Sequence, residues 1–295
     1  MSADSNGELA GKTVLLTGGN TGIGKFTAIG LAKKGAKVVI TSRNPSKGRA
    51  ALAEIQAAAG PNADVTCVEL DLASFASIEA CAEDFKADHE RLDVLILNAG
   101  LILDSRHTTE QGFETTFGVN HLGHFLLTKR LRPLLERSAP SRVVVVASDA
   151  HKAARKGLDF DDLMAEGGYS TIQAYGRSKL ANIMFTRELS RRLEGTGVTA
   201  NCLHPGVVRT EFGGGGDVRG PLVKLMFAVS RPFFLSAEKG ARTSIYLASE
   251  PSLKTRTGGY YVRCKPANPT SVATDRASAE RLWSVSEALI DKAGS

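Results

Sequence analysis

The chain has 295 residues, with 37 Lys+Arg against 31 Asp+Glu (formal net charge +6), and is 42% hydrophobic and 23% charged. That length can bury a substantial core, and the balance is ordinary for a globular chain, which excludes disorder as the default. The longest charge-free stretches, Thr115–Thr128 and Gly195–Val208, contain Gly, Asn and His and fall short of the about 20 apolar residues a membrane span needs. Met1–Leu9 is polar, carrying Asp4 and Glu8, so the expectation is a soluble, cytoplasmic protein with neither signal peptide nor integral membrane segment.

The bases are scattered, and the densest group is Lys152, Arg155 and Lys156. This pattern suits a solvated surface rather than a nucleic-acid face, and it also suits an anionic cofactor. Cys67, Cys81, Cys202 and Cys264 form no CxxC pair and read as buried small apolar residues.

Strand-like and helix-like segments alternate along the chain. Thr13–Thr17 is a short apolar run ended by glycines. Ile23–Lys34 has helical apolar spacing and stops at Gly35. Strand Val38–Thr41, helix Gly48–Ala59, strand Val65–Leu70, helix Ser77–Ala87 and strand Val94–Leu97 follow. A long helix lies within Gly112–Arg137, then strand Arg142–Ala147, helix Thr171–Leu193 and strand Val198–Leu203. The β-branched run Val143–Val146 predicts a strand buried on both faces, as in a parallel sheet covered by helices. The expected fold is therefore α/β: a single-domain Rossmann fold with a doubly wound parallel sheet of about seven strands. The cofactor half spans about 9–147 and the catalytic and substrate half about 148–290.

Between the first strand and first helix lies Thr17-Gly18-Gly19-Asn20-Thr21-Gly22-Ile23-Gly24, spaced G-x3-G-x-G. Residues without Cβ allow a tight turn and close approach to a pyrophosphate, and the helix N-terminus offers free N–H groups. At the end of the second strand, Ser42-Arg43-Asn44 has no carboxylate to accept from an adenosine 2′-hydroxyl, while Arg43 can pair a 2′-phosphate. NADP(H) is thus expected in preference to NAD(H).

Tyr-x-x-x-Lys occurs twice, as Tyr175/Lys179 and Tyr261/Lys265, so the bare pattern carries little weight. Gly259–Cys264 reads as a strand, in which residues four apart are about 13 Å apart. The first copy lies in a helix whose apolar face is Leu180, Ala181, Met184, Phe185, Leu189 and Leu193, with Ser170 and Gln173 resembling a capping box. There the spacing brings Cβ atoms to about 5–6 Å. Acid–base work by a phenol near neutrality requires its pKa to fall by roughly 2–3 units, about 3–4 kcal/mol. An ammonium about 5 Å away supplies roughly 3 kcal/mol of that sign.

The order TGGNTGIG, Asp71-Leu72, Asn98-Ala99-Gly100, Asn120, Ser148, Tyr175/Lys179 and Pro205-Gly206 resembles the short-chain dehydrogenase/reductase family over nearly the whole chain. Longer stretches, GVNHLGHFLLT, YGRSKLAN, HPGVVRT and ERLWSVSEAL, are similar to its retinol dehydrogenase and WW-domain oxidoreductase branch. The resemblance implies that Tyr175 exchanges a proton with a carbonyl or alcohol oxygen, that Ser148 orients that oxygen, and that Lys179 holds the nicotinamide ribose and lowers the Tyr175 pKa. It implies further that Asn120 holds a relay water, Asp71 meets the adenine with Leu72 beside it, and Asn98, Ala99 and Gly100 line the adenosine ribose. Val208 and Thr210, after Pro205-Gly206, would meet the carboxamide. His121, His124, His151 and His204 are expected to be packing or loop residues, and no metal constellation is recognised. Leu97 and Ala147 depart from residues common in the family without removing a reacting group.

Around 210–237 the family builds a substrate lid; Gly213–Gly216 would hinge it and Leu222–Phe234 would form an apolar cover. The expected substrate is a small hydrophobic aldehyde, ketone or alcohol, and relatives make a homo-oligomer possible. The competing readings are a nucleotide-sugar epimerase or dehydratase, disfavoured by the glycine spacing and the length, and a non-catalytic NADP sensor, disfavoured by the intact Tyr and Lys.

Overall fold

A computed structural model describes residues 7–208 and 235–293. Strand β1 (Thr13–Leu16) leads into helix α1 (Gly22–Lys33), followed by β2 (Lys37–Ser42), α2 (Pro45–Ala59), β3 (Val65–Glu69), α3 (Phe75–Asp88) and β4 (Val94–Leu97). A short helical turn α4 (Thr115–Phe117) passes through a π-helical segment, Gly118–Leu122, into α5 (Gly123–Arg137). Then come β5 (Ser141–Val146), a 3-10 turn (Asp149–Ala153), α6 (Thr171–Arg192), β6 (Val198–His204), α7 (Ala237–Ser249), β7 (Tyr260–Val262), β8 (Lys265–Ala267) and α8 (Arg276–Ala293).

The strands form one sheet in the order β3-β2-β1-β4-β5-β6-β7-β8. The first seven run parallel, and β8 returns antiparallel beside β7. This is the expected doubly wound sheet with one strand more than anticipated. The chain moves outward from β1 to β3 and then restarts at β4 on the other side of β1. That switch opens a crevice at the carboxyl ends of β1 and β4.

Strand alternation divides the core between two layers. Val143 and Val145 face a cluster with α3, α5, α6 and α8, while Val144 and Val146 face one with α1, α2 and α7. All four valines are buried, as the continuous β-branched run requires.

Helix ends explain most boundary differences. Helix α2 begins at Pro45 rather than Gly48, because Asn44 accepts the Lys47 N–H and Pro45 occupies the first helical position. Ser74 caps α3 by accepting from the Ser77 N–H. Ser170 occupies the N-cap position of α6 but forms no side-chain cap bond, and Gln173 donates to the Ala153 carbonyl instead. The expected capping box is therefore not formed.

The second Tyr-x-x-x-Lys also differs from its expected extended geometry. Arg263 and Cys264 adopt positive φ (51° and 60°), reversing the chain in two residues, so Lys265 pairs with Val262 across a hairpin. Cys81 and Cys202 are buried, while Cys67 and Cys264 are only half-buried, and all four are free thiols.

Candidate active site

The glycine turn closes against the loop that follows β4. Gly18 and Gly22 have φ of +67° and +52°, conformations that disfavour a side chain. A Cβ on Gly18 would stand 3.0 Å from the Ala99 Cα, and one on Gly24 would stand 2.7 Å from the Asn98 Nδ2. The Asn98 amide donates to the carbonyls of Thr17 (2.8 Å) and Gly18 (3.2 Å). The buried Thr17 hydroxyl accepts the N–H groups of Asn98 (2.9 Å) and Ala99 (3.0 Å). Asn98 and Ala99 are thus tied to the turn rather than merely near it.

At the start of α1, Thr21 offers no side-chain cap, whereas Asn44, Ser74 and Ser236 cap α2, α3 and α7. The first amides of α1, on Gly22, Ile23 and Gly24, are left to an external acceptor, and the glycines leave room for it. Asn20 and Thr21 stand at the turn's solvent side. Arg43 is exposed after β2 and has no hydrogen-bond or ion-pair partner among the described residues. Asp71 accepts the Ala73 N–H at 2.9 Å, leaving the capping of α3 to Ser74. Leu72 buries its side chain in the core, so it presents only backbone to the crevice. These features fit a dinucleotide laid across the switch point.

Beyond β5, Ser148 caps the 3-10 turn by accepting the Ala150 N–H at 3.1 Å. Helix α6 places Tyr175 and Lys179 one turn apart, with the Lys179 Nζ 5.6 Å from the tyrosine ring centroid. Ser148 and Tyr175 are joined by a side-chain hydrogen bond. The Lys179 ammonium donates to the Val146 carbonyl at 3.1 Å. Gly100 lets the β4 loop approach, since a Cβ there would be 3.1 Å from the Asn120 Oδ1 and 3.3 Å from the Lys179 Nζ. The four expected catalytic side chains therefore cluster beside the glycine turn's partner loop.

The electrostatics differ from expectation. Burial pushes the Tyr175 phenol up to about 12, with the Ser148 hydrogen bond opposing it. Burial also lowers the Lys179 ammonium to about 8. The Lys179 ammonium lies over the tyrosine ring and is bonded to the Val146 carbonyl, and burial is the dominant influence on the phenol. Burial thus moves both groups toward their neutral forms, while Lys179 still remains an ammonium at pH 7.

Asn120 also departs from its expected setting. It lies in the π-helical segment, and its side chain is fully engaged. Its Oδ1 accepts the Leu101 N–H (2.8 Å), and its Nδ2 donates to the Leu101 carbonyl (2.9 Å) and to Ser178 (3.0 Å). Its backbone carbonyl accepts from His124 Nδ1 at 3.2 Å. His124 Nε2 then accepts from the Thr17 hydroxyl at 2.9 Å, which fixes a neutral tautomer. Burial holds this ring at about 3. His124 thereby links the glycine turn to Asn120. The sequence suggests only a packing role for it, since its partner lies 107 residues away.

Pro205 is half-buried and Gly206 has φ +90°. Val208 packs against Ile23 and Ala241 and bridges to Leu235, so the segment after β6 is fastened to α1. Thr210 and almost all of the expected lid, including Gly213–Gly216 and Leu222–Phe234, lie outside the described residues. No helix among the described residues is long and apolar enough to cross a membrane.

Comparison with known proteins agrees with this arrangement. The family model "short chain dehydrogenase" matches residues 12–160 and 163–215. Human retinol dehydrogenase 14 is 46% identical over 96% of this chain and 88% of its own length. The crystal structure of an uncharacterized Mycobacterium paratuberculosis protein superposes with a TM-score of 0.76 at 33% identity, covering 98% of this chain and 97% of that one. Pseudomonas aeruginosa RhlG, solved as an NADP active-site complex, matches with a TM-score of 0.68 at 28% identity over 85% of this chain and 94% of that one. Sequence, sheet order and crevice chemistry converge, and the chain belongs to the short-chain dehydrogenase family as an oxidoreductase of CH-OH and C=O groups.

Proposed function

We propose that this chain is an NADP(H)-dependent oxidoreductase of apolar carbonyl and alcohol substrates, with Tyr175 as its proton donor and acceptor. The observation that carries the reading is the Ser148–Tyr175 hydrogen bond beside Lys179, next to Gly100 of the loop that is tied to the glycine turn. Gly18, Asn20, Thr21, Gly22, Ile23 and Gly24 would hold the pyrophosphate at the open start of α1. Asp71 and Leu72 would meet the adenine, and Asn98, Ala99 and Gly100 the adenosine ribose. Pro205, Val208 and Thr210 would meet the carboxamide. When bound, the nicotinamide supplies or takes up hydride at the substrate carbon.

Tyr175 releases its Oη proton to the substrate oxygen in reduction and recovers it in oxidation. The ammonium of Lys179 favours the phenolate left behind and holds the nicotinamide ribose. Ser148 orients the substrate oxygen, and Asn120 braces the β4 loop that carries Gly100. The phenol's high starting value means that further positive charge at the site is what brings the proton into working range. Ile172 (45% exposed), three residues before Tyr175 on α6, and Val207 (51% exposed), beside Val208, are the large apolar side chains exposed among the described residues, which favours a hydrophobic substrate.

Tyr175→Phe tests the acid–base role. Turnover of a hydrophobic aldehyde, followed by NADPH absorbance, should fall about 10²–10⁴-fold with NADPH affinity nearly unchanged. Undiminished turnover would reject the assignment. Arg43→Ala tests the cofactor: kcat/KM with NADPH should fall about tenfold to a hundredfold while the NADH value holds, the worth of charged hydrogen bonds to a phosphate. A wild-type enzyme that uses NADH better than NADPH would refute the preference.

A further inference from the structure

Two buried histidines flank Ser148 and grip its backbone from both sides. His151 is fully buried, and its Nδ1 lies 2.7 Å from the Ser148 carbonyl oxygen. A carbonyl only accepts, so Nδ1 carries the hydrogen. The ring's Nε2 is then a free acceptor, and it receives the Thr270 N–H at 3.2 Å. On the other side, His204 at the end of β6 accepts the Asp149 N–H through Nδ1 at 3.2 Å. Its hydrogen therefore sits on Nε2, which faces the Asp149 carboxylate at 4.0 Å.

The surrounding groups hold that carboxylate still. Tyr260 donates its hydroxyl to Asp149 Oδ1 at 3.1 Å, and Lys152 donates to Oδ2 at 2.9 Å. The Tyr260 ring also meets His151 edge-on, with centroids 5.7 Å apart. Ser148 thus has its own C=O fixed by His151 and the next N–H fixed by His204. The side-chain oxygen is set in turn by the Ala150 N–H that it accepts, and it also hydrogen-bonds Tyr175.

We infer that His151 and His204 are positioning residues for the reaction, holding the Ser148 peptide so that its hydroxyl meets Tyr175 and the substrate oxygen. The inference rests on the orienting role proposed above for Ser148. Neither ring touches the reacting atoms in this arrangement, and neither is a base.

The two nitrogens of His151 can be separated by substitution. In His151→Asn the amide nitrogen reproduces Nδ1 and keeps the Ser148 bond. In His151→Gln the amide oxygen of the longer side chain takes the place of Nε2, keeping Thr270 and losing the side-chain bond to Ser148, whose carbonyl then keeps only the backbone N–H of residue 151. With the full chain, NADPH and a hydrophobic aldehyde, His151→Gln should lower kcat about tenfold to a hundredfold, as small misplacements do, and His151→Asn by less than about threefold. NADPH affinity, read by fluorescence titration, should stay within about twofold for both, which also shows that each variant is folded around an intact cofactor turn. In a Ser148→Ala background, His151→Gln should cost nothing further, because its effect passes through the missing hydroxyl. Equal losses for the Asn and Gln variants, or a loss that adds fully to Ser148→Ala, would overturn the inference. So would wild-type kcat in His151→Gln alongside a damaged Ser148→Ala. A Ser148→Ala enzyme with undiminished kcat would instead remove the underlying reading of Ser148.

Discussion

The same four-residue spacing, Tyr-x-x-x-Lys, occurs twice in this molecule with opposite results. On α6 it stacks Lys179 over Tyr175, both enclosed at the carboxyl end of the sheet. Between β7 and β8 it straddles a two-residue reversal, which buries Tyr261 in the core and leaves Lys265 exposed on the edge strand. A motif is therefore a statement about chemistry only after its secondary structure is known. Helical periodicity aligns the two side chains, and a hairpin sends them to different strands and different surroundings.

The comparison can be broken most severely by removing the hydroxyls. Tyr175→Phe should cost about 10²–10⁴-fold in turnover, while Tyr261→Phe should leave kcat within about twofold, since only one phenol faces the crevice. Loss of activity in the Tyr261 variant would dissolve the distinction.

A second difference concerns charge. Lys179 is lowered to about 8 from 10.5 by burial. Between those values the unfolded chain binds more protons than the folded one, so stability contributed by this site rises with pH across about 8 to 10.5. Below pH 8 the cost of burying the ammonium is fully present. Urea denaturation of Lys179→Met should therefore show a gain of up to about 3 kcal/mol at neutral pH over the natural chain, shrinking as pH approaches 10.5. The Tyr175 phenol, raised to about 12, acts in the opposite sense: it is protonated in the fold, and stability falls as pH rises from about 10 to 12. A pH–stability curve unchanged by Lys179→Met would mean that the ammonium is not enclosed. The smallest effect belongs to Lys265→Ala, for which both turnover and stability should stay within about 0.5 kcal/mol of the natural chain.

Local pattern made most of the fold legible. The apolar runs of β1, β4 and β5, and the glycines that end them, mark strands and crevice together. The buried stripe Leu180, Ala181, Met184, Phe185 and Leu189 marks α6. What stayed hidden is non-local. His124 meets Thr17 across 107 residues, His151 meets Thr270 across 119, and Tyr260 meets Asp149 across 111. No window of sequence contains both partners of any of these bonds. The β7–β8 reversal was masked because Arg263 and Cys264 are unusual occupants of positive φ. The phenol's elevated pKa was equally out of reach, since the spacing reports that a cation is near and not how far burial penalises the phenolate.

Helix α8 has a consequence for how this chain is made. Its Trp283 stacks on Phe185, 5.9 Å between centroids, and lies edge-on to Phe125 at 4.7 Å, while Ser286 meets His121 at 2.8 Å. These contacts roof an aromatic surface formed by α5 and α6. On the ribosome, α5 and α6 emerge well before Arg276–Ala293, so this greasy patch stays bare until that helix has been made. The nascent protein is most exposed to misassociation in that interval, and ending the chain before Arg276 should leave it permanently adhesive and insoluble.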